Sequence, residues 1–224
     1  MKRKRQLPVI KMVCGLLFLL VVLHALGYQV TWRMELEARM HVKHEMQENG
    51  DGDLVKDMLQ EAKCFPVKED ATGQIQWSFD DGYGGTRTYG GKRKHEGIDI
   101  MASEDRPGCL QICAMTDGVI EQMGWLELGG YRIGIRSKAG NYYYYAHLEK
   151  YAAHWQVGDV VKAGDVLGNM GNTGYGPEGT TGKFPVHLHF GIYITRDGQE
   201  QSINPYPLLQ YLEQRRKYDR ARLW

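Results

Sequence analysis

The chain has 224 residues, 42% of them hydrophobic and 25% charged, with a formal net charge of +1. That length suits one domain of ordinary size with appendages, and that composition supports a packed core and excludes wholesale disorder. The balanced charge excludes a global electrostatic drive toward nucleic acid, so no nucleic-acid partner is expected.

At the N-terminus, Lys2-Arg3-Lys4-Arg5 precedes Met12 to Val30, a run without formal charge whose end is weakened by His24 and Gln29. The run is near the ~20 residues that span a bilayer. Positive charge in front of it predicts a cytoplasmic N-terminus with the remainder translocated. Residues 1–30 are therefore expected to form a basic tail and a transmembrane anchor. Ala25-Leu26-Gly27 is a passable cleavage site, so secretion after signal removal is the alternative. The apolar run continues beyond that site, which favours the anchor. Cys14 lacks the small residue that a lipoprotein signal places before it, and reads as a membrane-core residue.

Residues 31–63 read as a helical stalk. Thr31 to Glu48 is a polar helix, Asn49-Gly50-Asp51-Gly52 breaks it, and Asp53 caps a second short helix to about Lys63. The stalk would lift the next domain off the membrane and offer a surface to a protein partner. His41 and His44 sit on its solvated face.

From residue 64 to 207 the texture changes. Glycines, 28 in the chain, and tyrosines, 14, favour a β-rich, loop-rich domain over a helical bundle. Short apolar runs are divided by Gly, Asp and Asn turns: Gly118 to Ile120, Tyr131 to Ile135, Tyr142 to Ala146, Val160-Val161, Val166-Leu167 and Val186 to Ile194. Strands at such spacing predict a mainly β domain, an antiparallel sandwich or barrel-like sheet. One short helix is expected around Leu148 to Ala153. Three cysteines fall here, Cys64, Cys109 and Cys113, and they cannot all pair within one chain. Cys109 and Cys113 are too far apart to bridge along one extended strand. A bridge from Cys64 to either stays open beside free or structural thiols, and the paired C-x-x-C spacing of a zinc site is lacking. Residues 208–224 close the chain as a basic helix, part of a helical run beginning at Pro205. Leu208, Leu209, Tyr211 and Leu212 would dock it. Arg215-Arg216-Lys217, Arg220 and Arg222 read as a solvated face, with contact to an anionic wall polymer or lipid as the alternative.

The chemistry-bearing residues lie in three places. His187-Leu188-His189 sits in an apolar run, most simply on one strand, where both imidazoles point to one face roughly 6–7 Å apart. That suits one metal ligand with a second imidazole beside the metal. His95 and Asp99 stand four apart at the lip of a strand entered through Gly82, Gly84, Gly85, Gly90 and Gly91. Two histidines and a carboxylate leave the fourth position of a zinc ion open for water, the mark of a catalytic site. Such an ion polarises a carbonyl and lowers the pKa of water toward ~7. His147, closing a run of tyrosines in Tyr145-Ala146-His147-Leu148, could supply proton transfers. His154 has no comparable setting and reads as ordinary surface.

These motifs, in this order, resemble the lysostaphin-type (LytM-like) family of zinc metallopeptidases that cut peptidoglycan cross-bridges. The resemblance covers roughly Trp77 to Pro205. It extends to Val157-Gly158-Asp159-Val160-Val161-Lys162-Ala163-Gly164-Asp165 and to Gly168-Asn169-Met170-Gly171-Asn172-Thr173-Gly174, similar to a family turn and hairpin. It implies a membrane-anchored zinc metalloendopeptidase acting on peptidoglycan stem or cross-bridge peptides, with one zinc ion held by His95, Asp99 and His189. By the same resemblance His187 and His147 flank the attacking water and move protons, and Tyr89 stabilises the oxyanion. Some family members instead scaffold or activate other wall enzymes without catalysis, as in sporulation channels; these usually lose ligands, and all ligand positions here are intact. The loop Tyr175 to Pro185, before His187-Leu188-His189, is longer than the family's usual Gly/Ser-rich one. It is expected to form one wall of the substrate groove and leaves the cleaved bond open between glycyl–glycyl and D-alanyl–diaminopimelate bridges.

Overall fold

A computed structural model describes residues 6–47, 52–152 and 155–221. The chain divides into two compact units, residues 1–42 and 43–224. Helix α1, Gln6–Gln47, runs unbroken through the apolar and polar stretches that the sequence separates. Its stretch Lys11–Glu45 is long and apolar enough to cross a membrane. The expected break at Asn49-Gly50-Asp51, the side chain of Asp53 and His154 lie outside the described residues.

The second unit begins with α2, Gly52–Glu61, which buries Met58 at its core-facing side. The Glu61 carboxylate takes hydrogen bonds from Ser137 Oγ (2.8 Å), the Ala139 amide (3.0 Å), Asn141 Nδ2 (3.1 Å) and Tyr143 Oη (3.1 Å). The helix expected as stalk is thus clasped to the domain. Short strands follow: β1 (Trp77–Ser78), β2 (Thr86–Arg87), β3 (Arg93–Lys94), β4 (Ile98–Ala102) and β5 (Gln111–Cys113). Longer ones then form β6 (Gly118–Leu126), β7 (Gly130–Arg136) and β8 (Tyr142–Tyr151). After β9 (Val160–Val161) and β10 (Val166–Met170) come β11 (His187–Arg196), β12 (Gln199–Ile203) and helix α3 (Tyr206–Ala221).

The domain is mainly antiparallel β. The sheet runs β1-β4-β11-β8-β7-β6-β9, with β12 on β11 and β10 on both β5 and β8; β2 and β3 form a separate ribbon. Side-chain alternation divides its faces. Ile98 and Ile100 of β4, Ile133 and Ile135 of β7, Tyr143 and Tyr145 of β8, and Leu188, Phe190, Ile192 and Ile194 of β11 are all buried to 0% exposure. These residues form the core, where Phe190 meets Tyr145 edge-on with ring centroids 5.3 Å apart. The residues between them face the other way, and the functional side chains are among these.

One sequence expectation needs correction. The helix expected over Leu148 to Ala153 is instead the end of β8, which reaches Tyr151; Ala153 is outside the described residues. His147 has φ +64°, and this left-handed kink redirects the strand so that its second half pairs with β10. Pairing along β10 overrides the local helical pattern. The basic half of α3 is solvated at Arg215, Lys217 and Arg220, as expected, but Arg216 is drawn onto the domain. Arg216 lies over the Trp77 ring at 4.7 Å and pairs with Glu69 and Glu213, and Arg220 reaches Glu69 at 3.4 Å. The cysteines are free thiols; Cys64 donates to the Ala114 carbonyl at 3.2 Å and Cys113 to the Phe65 carbonyl at 3.4 Å.

The Glu61 clasp gives a test. Removing an acceptor that serves four donors, three of them on buried residues, costs about 1–3 kcal/mol. The variant Glu61→Ala should show a denaturation midpoint lowered accordingly in urea titration of the full chain in detergent, and Glu61→Gln a smaller loss.

Candidate active site

The site is built by register. β4 and β11 pair with Asp99 directly beside His189, and β11 pairs with β8 so that His189 lies beside Ala146. His187 and His189 share the face opposite the core, as their spacing predicts. His95 precedes β4 and is fixed through its backbone, its amide bonding to the Gly85 carbonyl and its carbonyl accepting from the Gly84 amide, both at 2.8 Å. Gly97 lets this segment approach β11: a Cβ there would stand 2.4 Å from the Phe190 carbonyl oxygen and 2.9 Å from the His189 ring.

Three donor atoms converge. His95 Nε2 is 3.0 Å from Asp99 Oδ1 and 2.9 Å from His189 Nδ1, and His189 Nδ1 is 3.0 Å from Asp99 Oδ1. Among the described residues this is the group able to hold a metal ion. Ligands of a tetrahedral zinc ion, at bonds of ~2.0–2.1 Å, stand about 3.3 Å from one another, so the triangle fits that ion in size and donor type. His95 Nδ1 contacts the Gly82 carbonyl at 3.0 Å. A carbonyl can only accept, so Nδ1 carries the proton and Nε2 keeps its lone pair for the centre.

Sequence reasoning missed Arg87. Its Nη2 donates to Asp99 Oδ2 at 2.7 Å; its approach to His95 Nδ1 is a contact between two donors. Arg87 therefore holds one carboxylate oxygen while the other faces the imidazoles. Burial works to raise the Asp99 pKa. The imidazoles of His189, His95 and His187 around it overcome that and hold the carboxyl below the usual carboxylate range.

His187 and His147 stand together, ring centroids 4.7 Å apart, and His187 Nε2 is 3.8 Å from Asp99 Oδ1. His187 Nδ1 donates to the Pro185 carbonyl at 2.8 Å, and His147 Nδ1 to the Thr173 carbonyl at 2.7 Å. Each ring thus has its Nδ1 proton fixed and its Nε2 free to accept. Burial lowers both pKa values, that of His147 well below the ordinary histidine range, so both rings are neutral near neutral pH. The left-handed backbone at His147 aims its ring here, a conformation uncommon outside glycine.

All five of these residues line one cleft of about 690 Å³. Tyr175, Phe184 and Pro185 line it too, so the long loop does form a wall, as expected. Tyr89 does not line it. Its ring stacks on Tyr175 at 4.3 Å and its hydroxyl donates to the Tyr175 carbonyl at 2.5 Å. In this geometry the Tyr89 hydroxyl is engaged in holding the loop.

Comparison with known proteins agrees with this geometry. A model of peptidase family M23 matches residues 93–205. The chain is 40% identical over 157 residues to the L-Ala–D-Glu endopeptidase of Bacillus subtilis, covering 70% of this chain and 45% of that protein. It is 32% identical over 118 residues to lysostaphin of Staphylococcus simulans, covering 52% and 21%. A crystal structure of a candidate LytM glycyl-glycine endopeptidase from Ruminococcus gnavus superposes with a TM-score of 0.61 at 49% identity, covering 69% of this chain and 62% of that one. The chain thus spans less than half the length of the curated relatives it matches.

The buried neutral histidines set a pH dependence. A histidine whose pKa falls on folding is protonated first in the unfolded chain, so its stabilising contribution is present above the unfolded value of about 6.5 and is lost below it. The metal-free protein should therefore lose stability as pH falls from about 7 to about 5, by up to ~1.4 kcal/mol per pH unit per group. Urea titrations across that range should show a shallower slope for His147→Gln than for the parent chain.

Proposed function

The chain belongs to peptidase family M23, and from that premise we propose that it is a zinc metalloendopeptidase hydrolysing peptide bonds of bacterial peptidoglycan. The observation that carries the reading is the convergence of His95 Nε2, Asp99 Oδ1 and His189 Nδ1 within about 3 Å of one another, beside two neutral histidines in a cleft. Bound by those three side chains, zinc would supply polarisation of the scissile carbonyl and lower the pKa of water toward ~7.

The protein's own groups do the rest. Asp99 stays ionised because Arg87 and two imidazoles surround it, so the ligand set carries one negative charge. His187 and His147 present unprotonated Nε2 atoms to the cleft. One takes the proton of the attacking water and the pair returns it to the departing amine, general base then general acid. Their low proton affinity makes them weak bases and ready donors once protonated. Tyr89 enters this reading as the support of Tyr175 and the loop.

The apolar stretch of α1 supports an anchor, with the second unit on the wall side of the membrane; residues 1–30, 31–63, 64–207 and 208–224 keep their proposed parts as anchor, stalk, catalytic domain and closing helix. A stalk-bound protein partner is compatible with this. The intact donor set gives a purely scaffolding role no observation in its favour.

The proposal predicts unequal roles for the two histidines of β11. His189→Ala should lose bound zinc, read by elemental analysis of purified protein, and with it all release of peptides from peptidoglycan. His187→Ala should keep zinc near one per chain while peptide release falls about 10²–10⁴-fold, the scale of general acid–base catalysis. Zinc retained by His189→Ala, or an active His187→Ala, would sink the assignment.

A further inference from the structure

The face that carries the histidines continues past them. Asp99, His189 and Ala146 lie in one row across β4, β11 and β8. On the next strand the register slips between Tyr131 and Ile133, which sets Arg132 opposite Ala146 and His147. β7 is two strands from β11, about 10 Å at ~4.8 Å per strand. Ala146, the residue between, offers only a methyl group, and the Tyr144 ring on the same face meets the His189 ring edge-on at 6.0 Å; Tyr144, His189 and Arg132 all line the one cleft.

Arg132 lines that cleft yet is only 8% exposed. Its Nη2 donates to Gln122 Oε1 at 3.0 Å, while Nε and Nη1 have no hydrogen-bond partner among the described residues. No salt bridge to it is found there either. The other acids of the cleft are engaged: Glu200 pairs with Arg136, and Glu96 accepts from the Tyr193 hydroxyl at 3.3 Å. The neighbouring phenols of Tyr142 and Tyr144 are kept protonated by burial and supply no counter-charge. A guanidinium so placed is costly unless an anion meets it, and its planar fork matches a carboxylate better than any neutral group does.

We propose that Arg132 recognises a carboxylate borne by the substrate next to the bond that is cut. The cleft would then take an acidic stem peptide, with a γ-linked D-glutamyl residue whose α-carboxylate is free, in preference to an all-glycine bridge. The distance agrees: about 10 Å between strands, shortened by side chains reaching in from both, is the span of one or two residues at ~3.8 Å each. A glycine bridge has no carboxylate to place there. This inference rests on the peptidoglycan reading above.

The test uses the full chain in detergent, loaded with zinc, and two synthetic stem peptides of L-Ala, γ-D-Glu, L-Lys and D-Ala. Both have amidated C-termini, and they differ only in whether the D-Glu α-carboxylate is free or amidated. The parent chain should prefer the free carboxylate by about tenfold or more in kcat/KM, a contact of ~1.4 kcal/mol. Arg132→Gln should bring the ratio toward one, and Arg132→Lys should keep part of it. The ratio is internal to each variant, so a loss of folded protein does not mimic the effect. Equal turnover of the two peptides by the parent, or a preference surviving in Arg132→Gln, overturns the proposal. So does a preference that appears only when the C-terminal carboxylate is restored. Calorimetric affinities for the same peptides separate the two readings. If neither peptide is cut but binding still favours the free carboxylate through Arg132, the carboxylate site stands and the catalytic reading falls. Binding without that preference overturns the site.

Discussion

One shared carboxylate organises the cleft. Asp99 gives Oδ1 to two imidazoles and Oδ2 to Arg87, and every other functional group is placed relative to it. A partly buried carboxylate is tolerable only while its lone pairs are matched. Three side chains from three segments meet them: the glycine-rich loop through His95, the β2 ribbon through Arg87, and β11 through His189. The same pairing also protects the arrangement from drift. A slip of β11 by one residue against β4 would put Leu188 where His189 stands and turn both histidines into the core. The apolar face, with Leu188, Phe190, Ile192 and Ile194 fully buried, forbids that slip. Hydrophobic packing on one side of the sheet thereby sets the polar geometry on the other.

Much of this was legible in the sequence, for physical reasons. The H-x-H pair announced a shared face because strand periodicity is strict, and the apolar residues around it announced a buried strand. His95 and Asp99 were legible as a pair because a turn full of glycines leads into a strand. Arg87 and Arg132 were not legible. The chain is rich in arginines, and which of them end up buried depends on register. Arg132 reaches the cleft row only because β7 and β8 slip between Tyr131 and Ile133. The course of β8 after His147 was misread for a related reason. Leu148 to Ala153 has acceptable helical character, and only the left-handed backbone at His147, invisible in composition, sends the strand onward. The Tyr89 hydroxyl meets the Tyr175 carbonyl, a contact across the chain that sequence spacing does not reveal.

The wall opposite the sheet is made differently. Tyr175, Phe184 and Pro185 come from the long loop, and the Phe184 ring packs against the two histidines, at 4.5 Å from His147 and 4.9 Å from His187. Aromatic contact of this kind excludes water and keeps the two imidazoles neutral. The loop is therefore more than a border for substrate. It contributes to the low proton affinity on which the proposed proton transfers depend.

The left-handed backbone at His147 has an evolutionary consequence. Outside glycine, asparagine is among the residues that enter this conformation most readily, and a histidine codon becomes an asparagine codon by one nucleotide change. The step His147→Asn would leave the kink in β8 and the ligand triangle in place while removing an imidazole from the cleft. On the proposed function, a single mutation therefore separates this chain from one that would hold metal and peptide with impaired chemistry.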